Sequence, residues 1–112
     1  MKIAIVGTRN LTINDISKYL PTECTEIVSG GAKGIDKCAT DFAVKKGLKL
    51  VEFLPRYEKY GRGAPIIRNR QIVDYADKVI AFWDGKSKGT LSVIKYCQKI
   101  NKPYKVIVFE EC

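Results

Sequence analysis

Residues 27–36, Ile27-Val28-Ser29-Gly30-Gly31-Ala32-Lys33-Gly34-Ile35-Asp36, contain the transition on which the fold turns. Two β-forming apolar residues run into a serine and three glycines. Ile35, Ala39, Phe42 and Ala43 then recur at helical spacing as far as Gly47, a residue suited to a left-handed helix end. A strand that stops at a glycine turn and continues as an amphipathic helix is the repeating unit of a parallel α/β sheet. The turn itself has two readings. It is a backbone cradle for an anion at a helix amino terminus, or a tight connection between strand and helix.

The same alternation extends in both directions. Ile3–Val6 reads as a first strand, and Ile13, Ile16 and Leu20 as a helix opened by Thr12 or Asn14 and closed at Pro21. Glu26–Val28 and Leu48–Phe53 are the second and third strands. Arg56–Pro65 reads as a loop and Ile66–Ala76 as a helix. Val79–Trp83 is a fourth strand, Val93, Ile94, Cys97 and Ile100 mark a last helix, and Tyr104–Phe109 is a fifth strand after Pro103. Short, almost continuous apolar strands between helices require a sheet covered on both faces. With right-handed crossovers, the expectation is one domain over residues 1–112: a Rossmann-like, doubly wound, five-stranded parallel sheet in the order 3-2-1-4-5.

Composition narrows the chemistry. The 112 residues are 46% hydrophobic and 29% charged, as in a globular domain. No apolar run approaches the roughly 20 residues of a membrane helix, and MKIAIVGTRN reads as a buried strand rather than a leader, so a cytoplasmic protein with no membrane partner is expected. The chain has no histidine, which removes Ser-His-Asp and Cys-His nucleophile systems and the usual catalytic zinc site. Cys24, Cys38, Cys97 and Cys112 stand at wide, unrelated spacings and read as reduced thiols. Neither a metal nor a cofactor is expected. The net charge of +8 suits a polyanionic partner: nucleotide phosphates, nucleic acid or an acidic protein. For Lys45, Lys46, Lys49 and Lys99 a plain solvated surface is the preferred reading.

In a doubly wound sheet, ligands bind beyond the carboxyl ends of the strands where the strand order reverses, here between strands 1 and 4. Three loops are expected to meet there. The first is Gly7-Thr8-Arg9; the second is the opening stretch with Ser29, Gly30, Gly31, Lys33, Gly34 and Asp36; the third runs from Asp84 through Gly85, Ser87 and Gly89 to Thr90. The opening stretch is not G-x-G-x-x-G. Gly85-Lys86-Ser87 is not a P-loop either, because Ile80 occupies the place of the required glycine. Arg68-Asn69-Arg70 opens the third helix, where cations are mildly unfavourable and so suggest a ligand. An Arg70–Asp74 pair and a structural Asn69 hydrogen bond are the plainer alternatives. Tyr57 and Tyr60 read as base-stacking groups or as parts of an ordered lid, and Trp83 as a stacking platform or core edge. Asp36, Glu58 and Asp84 are the carboxylates expected at this rim.

The motifs GTR, GGAKGID, YGRGAPIIRNR and ADKVIAFWDGKSKGT, taken in that order, resemble the SLOG superfamily. That group unites the DNA-processing protein Smf/DprA with the Lonely Guy enzymes, and the likeness is greatest to its small stand-alone YspA-like branch. The resemblance implies binding of a nucleotide or nucleotide-derived small molecule, with phosphate near Gly30, Gly31 and Gly34 and with Arg9, Arg68, Asn69, Arg70, Gly89 and Thr90 at motif positions. It also implies assembly into dimers or larger units in many relatives. A single-stranded nucleic-acid partner is implied by the likeness to Smf/DprA. Lonely Guy enzymes cleave the glycosidic bond of nucleoside monophosphates with a glutamate whose place is taken here by Val93. Cleavage in this chain would need another group, with Arg70 and Asp84 as the catalytic candidates.

Overall fold

The computed structural model describes residues 1–9, 12–13, 15–32 and 34–108. Five strands, β1 (Lys2–Gly7), β2 (Glu26–Ser29), β3 (Lys49–Glu52), β4 (Lys78–Trp83) and β5 (Tyr104–Val108), form one sheet in the order β3-β2-β1-β4-β5. All four pairings are parallel. The helices are α1 (Ile35–Lys46), the single turn α2 (Tyr57–Tyr60), α3 (Ala64–Tyr75) and α4 (Lys88–Ile100).

Strand pleating divides the core. Ile3, Ile5, Ile27, Ile80 and Phe82 point to the face covered by α1 through Ile35, Ala39 and Ala43. Ala4, Val6, Val28, Val79 and Ala81 point to the opposite face, against Ile72 and Val73 of α3 and Val93, Ile94 and Cys97 of α4. Side-chain size follows helix coverage. Two full helices press on the alanine and valine face. Among the described residues the other face has one full helix, and Ile16, Tyr19 and Leu20 of the β1–β2 connection pack beside it against the isoleucines and Phe82. Phe82 is fully buried, with Tyr19 edge-on at 5.2 Å between ring centroids, and burial of such a side chain contributes about 1.5–3 kcal/mol.

The expected helix across Ile13–Leu20 does not form; the described part of this connection holds only a 3-10 turn, Ser17–Tyr19. The Asp15 carboxylate accepts hydrogen bonds from the Ser17 backbone N–H at 2.9 Å and from its hydroxyl at 2.5 Å. That local turn competes with helical bonding, and Pro21 prevents recovery further on. Ile16 still reaches the core. Asn14, a suggested cap, lies outside the described residues, as do Lys33, Phe109 and Cys112.

The stretch read as a loop at Arg56–Pro65 instead contains α2 and a 3-10 turn, Gly61–Gly63, and α3 begins at Ala64 with Pro65 in its first turn. Proline is well placed there because the amide it lacks would have no helical acceptor. Arg68 and Arg70 therefore belong to the second turn of α3, where the unfavourable dipole effect has faded. Earlier in the chain α1 closes as expected on Gly47, with φ 68° and ψ 26°.

Candidate functional site

Strands β1 and β4 run side by side to Gly7 and Phe82, and their following loops diverge around a crevice of about 480 Å³. Thr8 ties the two strand ends together. Its N–H donates to the Phe82 carbonyl at 3.1 Å, and its buried hydroxyl accepts from the Asp84 N–H at 3.2 Å. Gly7, Thr8 and Arg9 line one wall, and Asp84, Ser87, Gly89 and Thr90 line the facing one. Asp36, Arg68 and Asn69 contribute from α1 and α3. These ten residues were all legible as site candidates in the sequence.

The wall around Asp84 opens α4. Asp84 Oδ1 accepts from the backbone N–H groups of Lys86 and Ser87, each at 2.8 Å. These bonds hold its carboxyl below the ordinary value, with the Thr8 hydroxyl adding to the effect. Asp84 is thus an ionised turn-former, poorly suited to donating a proton. Ser87 caps α4, its hydroxyl oxygen accepting from the Thr90 N–H at 3.5 Å.

Opposite lies Arg68, only 7% exposed. Its Nη1 donates to the Gly30 carbonyl at 2.8 Å and its Nε to Asn69 Oδ1 at 2.9 Å. The Asn69 amide thereby orients the guanidinium, which agrees with the structural alternative for that residue. Burial lowers the Arg68 pKa, and the nearby charge of Arg9 lowers it further, while Asp36 opposes both. Asp36 is pushed above its ordinary value by burial, against the Ala32 N–H and the charges of Arg68 and Arg9. Two arginines thus face one desolvated carboxylate at the base of the crevice.

The glycine turn answers its two readings in detail. Gly31 N–H donates to Ser29 Oγ at 3.4 Å, and Ala32 N–H donates to Asp36 Oδ2 at 3.2 Å. The carboxylate of Asp36 therefore sits at the amino end of α1, where a cradled anion would sit. Ser29, Gly30, Gly31 and Gly34 are not among the lining residues; Ala32 is. The glycines are needed for close approach. A Cβ on Gly30 would lie 2.6 Å from Arg68 Nη1, and one on Gly34 would lie 2.4 Å from the Arg9 carbonyl oxygen.

Three further candidates point elsewhere. Arg70 stacks over the Tyr96 ring at 5.4 Å, on the α3–α4 outer surface. The suggested Arg70–Asp74 pair is replaced by a bond from the Tyr96 hydroxyl to Asp74 at 2.8 Å. Trp83 is half-buried against the core and donates its indole N–H to the Ser87 carbonyl at 3.0 Å, which makes it a brace for the loop. Gly85 forms the turn with φ 81° and is not part of the lining.

The structure adds residues that the sequence reading left out. Lys86 lines the crevice, and Val6, Pro65, Ile72 and Val93 give it an apolar floor. Lys86 is one of two cations in the Asp84–Thr90 stretch, with Lys88, and only the structure separates the one that lines the crevice from the one that does not. Val93, buried on the first turns of α4, occupies the floor where the resemblance places the glutamate of Lonely Guy enzymes. Among the described residues no cluster of metal-binding side chains occurs, and no helix is long and apolar enough to cross a membrane.

A five-stranded parallel sheet in this order, with a cation-lined crevice at its topological switch point, defines a Rossmann-like α/β domain. The family profile described as DNA recombination-mediator protein A matches residues 1–60, and the chain belongs to that family. Comparison with curated protein sequences gives no match. Among solved structures, the fold is similar to DNA processing protein A from Helicobacter pylori, a protein with a unique single-stranded DNA binding mode. The TM-score is 0.67 at 25% identity, over 95% of this chain and 64% of that chain. The chain thus corresponds to less than two thirds of that protein.

Proposed function

We propose that residues 1–112 act as one binding unit for single-stranded DNA, taking a nucleotide of the strand into the crevice between β1 and β4. The observation that carries this is the placement of Arg9, Arg68 and Lys86 around one crevice with the open first turn of α4. Arg9, Arg68 and Lys86 outnumber the two carboxylates that line the crevice, Asp36 and Asp84. A phosphate oxygen entering there meets that excess of positive charge and helix N–H groups that have no helical acceptor. The glycine turn supports the site from beneath, by positioning Arg68 and the α1 terminus. The similarity to the Helicobacter pylori protein favours the polymeric ligand.

A second reading, a free nucleotide or nucleotide-derived ligand, is favoured by the crevice size of about 480 Å³, within the range of small-molecule sites. Glycosidic cleavage has less support, because Asp84 is held ionised by two backbone N–H groups and Arg70 faces away from the crevice.

Fluorescence anisotropy with a labelled thymidine oligomer tests the main reading. Affinity should fall as salt rises, with a log–log slope of about −0.7 per neutralised phosphate. Arg9→Gln and Lys86→Gln should each weaken binding about tenfold, the effect of losing one charge-assisted hydrogen bond. Binding that is absent at low salt, or indifferent to salt and to both substitutions, refutes it. Competition by adenosine monophosphate or ADP-ribose at micromolar concentration would favour the second reading.

A further inference from the structure

A second surface adjoins the crevice. Helix α4 has 13 residues, three lysines and no acid, whereas α1 on the other sheet face has three lysines and two aspartates among its 12 residues. Lys88, Lys95 and Lys99 are all exposed and border one groove of about 420 Å³ between α3 and α4. Their spacing of seven and then four residues keeps them on one helical stripe. At 1.5 Å per residue the stripe runs roughly 16 Å along α4. Arg70 of α3 borders the same groove. The neighbouring carboxylate, Asp74, is engaged by the Tyr96 hydroxyl at 2.8 Å, and Arg70 lies over the Tyr96 ring rather than against that acid.

The stripe starts at the crevice. Ser87 and Gly89, on either side of Lys88, line the crevice, so both depressions share the first turn of α4. A polyanion with one unit held at Arg9 and Lys86 meets Lys88 next, and then finds cations along α4 that have no carboxylate partner among the described residues. We infer that the α3–α4 groove is a second DNA-contacting site, a track of Lys88, Arg70, Lys95 and Lys99 that carries the strand away from the crevice. This rests on the reading of the crevice as a site for single-stranded DNA, and it identifies the sequence-independent part of the interface. The lysines contact successive phosphates. Tyr96 and Leu91 form the half-buried floor beneath them.

The test uses the full chain and two ligands, a labelled thymidine dinucleotide and a labelled thymidine oligomer of about twenty nucleotides. Lys95→Gln/Lys99→Gln removes two cations from the track. Lys45→Gln/Lys46→Gln removes two from the end of α1 and serves as a charge-matched control. The α4 pair should reduce affinity for the long oligomer at least tenfold at low salt. It should also make the salt slope shallower by about 1.4, twice 0.7. Dinucleotide affinity should stay within about twofold, because only the crevice is engaged. The α1 pair should have a much smaller effect on the oligomer. Equal losses for the two pairs overturn the track. If the dinucleotide still binds and is lost in Arg9→Gln, the crevice reading survives that result. Conversely, an oligomer sensitive to the α4 pair but indifferent to Arg9→Gln keeps the track and refutes the crevice. If neither ligand binds, both readings are overturned.

Discussion

Replacing Gly34 by alanine should damage this protein far more than the same change at Gly47, although both residues have positive φ. Gly47 closes α1 at φ 68° and ψ 26°, inside the left-handed helical basin, and a Cβ there would meet nothing within 4 Å. Alanine in that basin costs about 1–2 kcal/mol. Gly34 has φ 71° and ψ −123°, outside that basin, so the backbone term alone is about 1–3 kcal/mol. An added Cβ would also lie 2.4 Å from the Arg9 carbonyl oxygen and 2.8 Å from that of Thr8. Backbone on both sides must shift. Strain and displacement together should cost about 3–4 kcal/mol, or roughly 2 kcal/mol more than at Gly47. For a chain of 112 residues, 1 kcal/mol corresponds to about 4 °C in Tm. Gly34→Ala should therefore melt about 8 °C below Gly47→Ala, with a matching separation of urea midpoints by circular dichroism. Because the displaced segment carries Arg9, DNA affinity should fall in Gly34→Ala and be retained in Gly47→Ala. Equal melting temperatures would mean that the first loop and the α1 terminus do not approach as described.

Three further consequences are open to measurement. Arg68→Lys keeps a cation but loses the planar fork that bonds the Gly30 carbonyl and Asn69, and should cost about 2–3 kcal/mol in urea unfolding; a change under about 0.5 kcal/mol would remove Arg68 as the strut of the glycine turn. Burial raises Asp36 above its ordinary value of 3.8, so its contribution to stability is complete below that pH and is lost as pH rises through its folded value. Asp36→Asn should consequently gain on the wild type in urea midpoint between about pH 4 and pH 7, whereas Asp84, held low by backbone donors, has the opposite sign and loses its contribution as pH falls; a loss by Asp36→Asn over the same range would contradict the assignment. The Cys97 thiol, fully buried and raised to about 11 by desolvation, should resist a disulfide reagent in the native protein and react only on unfolding, as read by mass spectrometry.

The sequence by itself determined the alternation of elements, the parallel sheet and its order, because the central strands β1 and β4 are nearly continuous apolar runs and the helices between strands are punctuated by glycine or proline. Ile27–Val28 could pair only in the interior of a covered sheet, and Gly47 could only end a helix. It also pointed to the sheet edge that carries the candidate crevice, since crossovers of one hand bring the loops after β1, β2 and β4 to the same edge. The region before Pro21 was misread because Ile13, Ile16 and Leu20 match a helix by period while Asp15 takes the Ser17 N–H for a local turn. A polar side chain competing with the backbone does not alter hydrophobic period. Only the tertiary structure decided the role of each residue at the site. Arg68 and Arg70 are two positions apart on α3, and helical geometry sends one inward to Gly30 and the other outward to Tyr96. The opening GGAKGID turn likewise needed its neighbours. The Gly31 and Ala32 N–H groups find Ser29 and Asp36 within the fold, and Gly30 and Gly34 make room for Arg68 and the Arg9 backbone. Such close contacts join segments distant in the chain, so no local pattern encodes them.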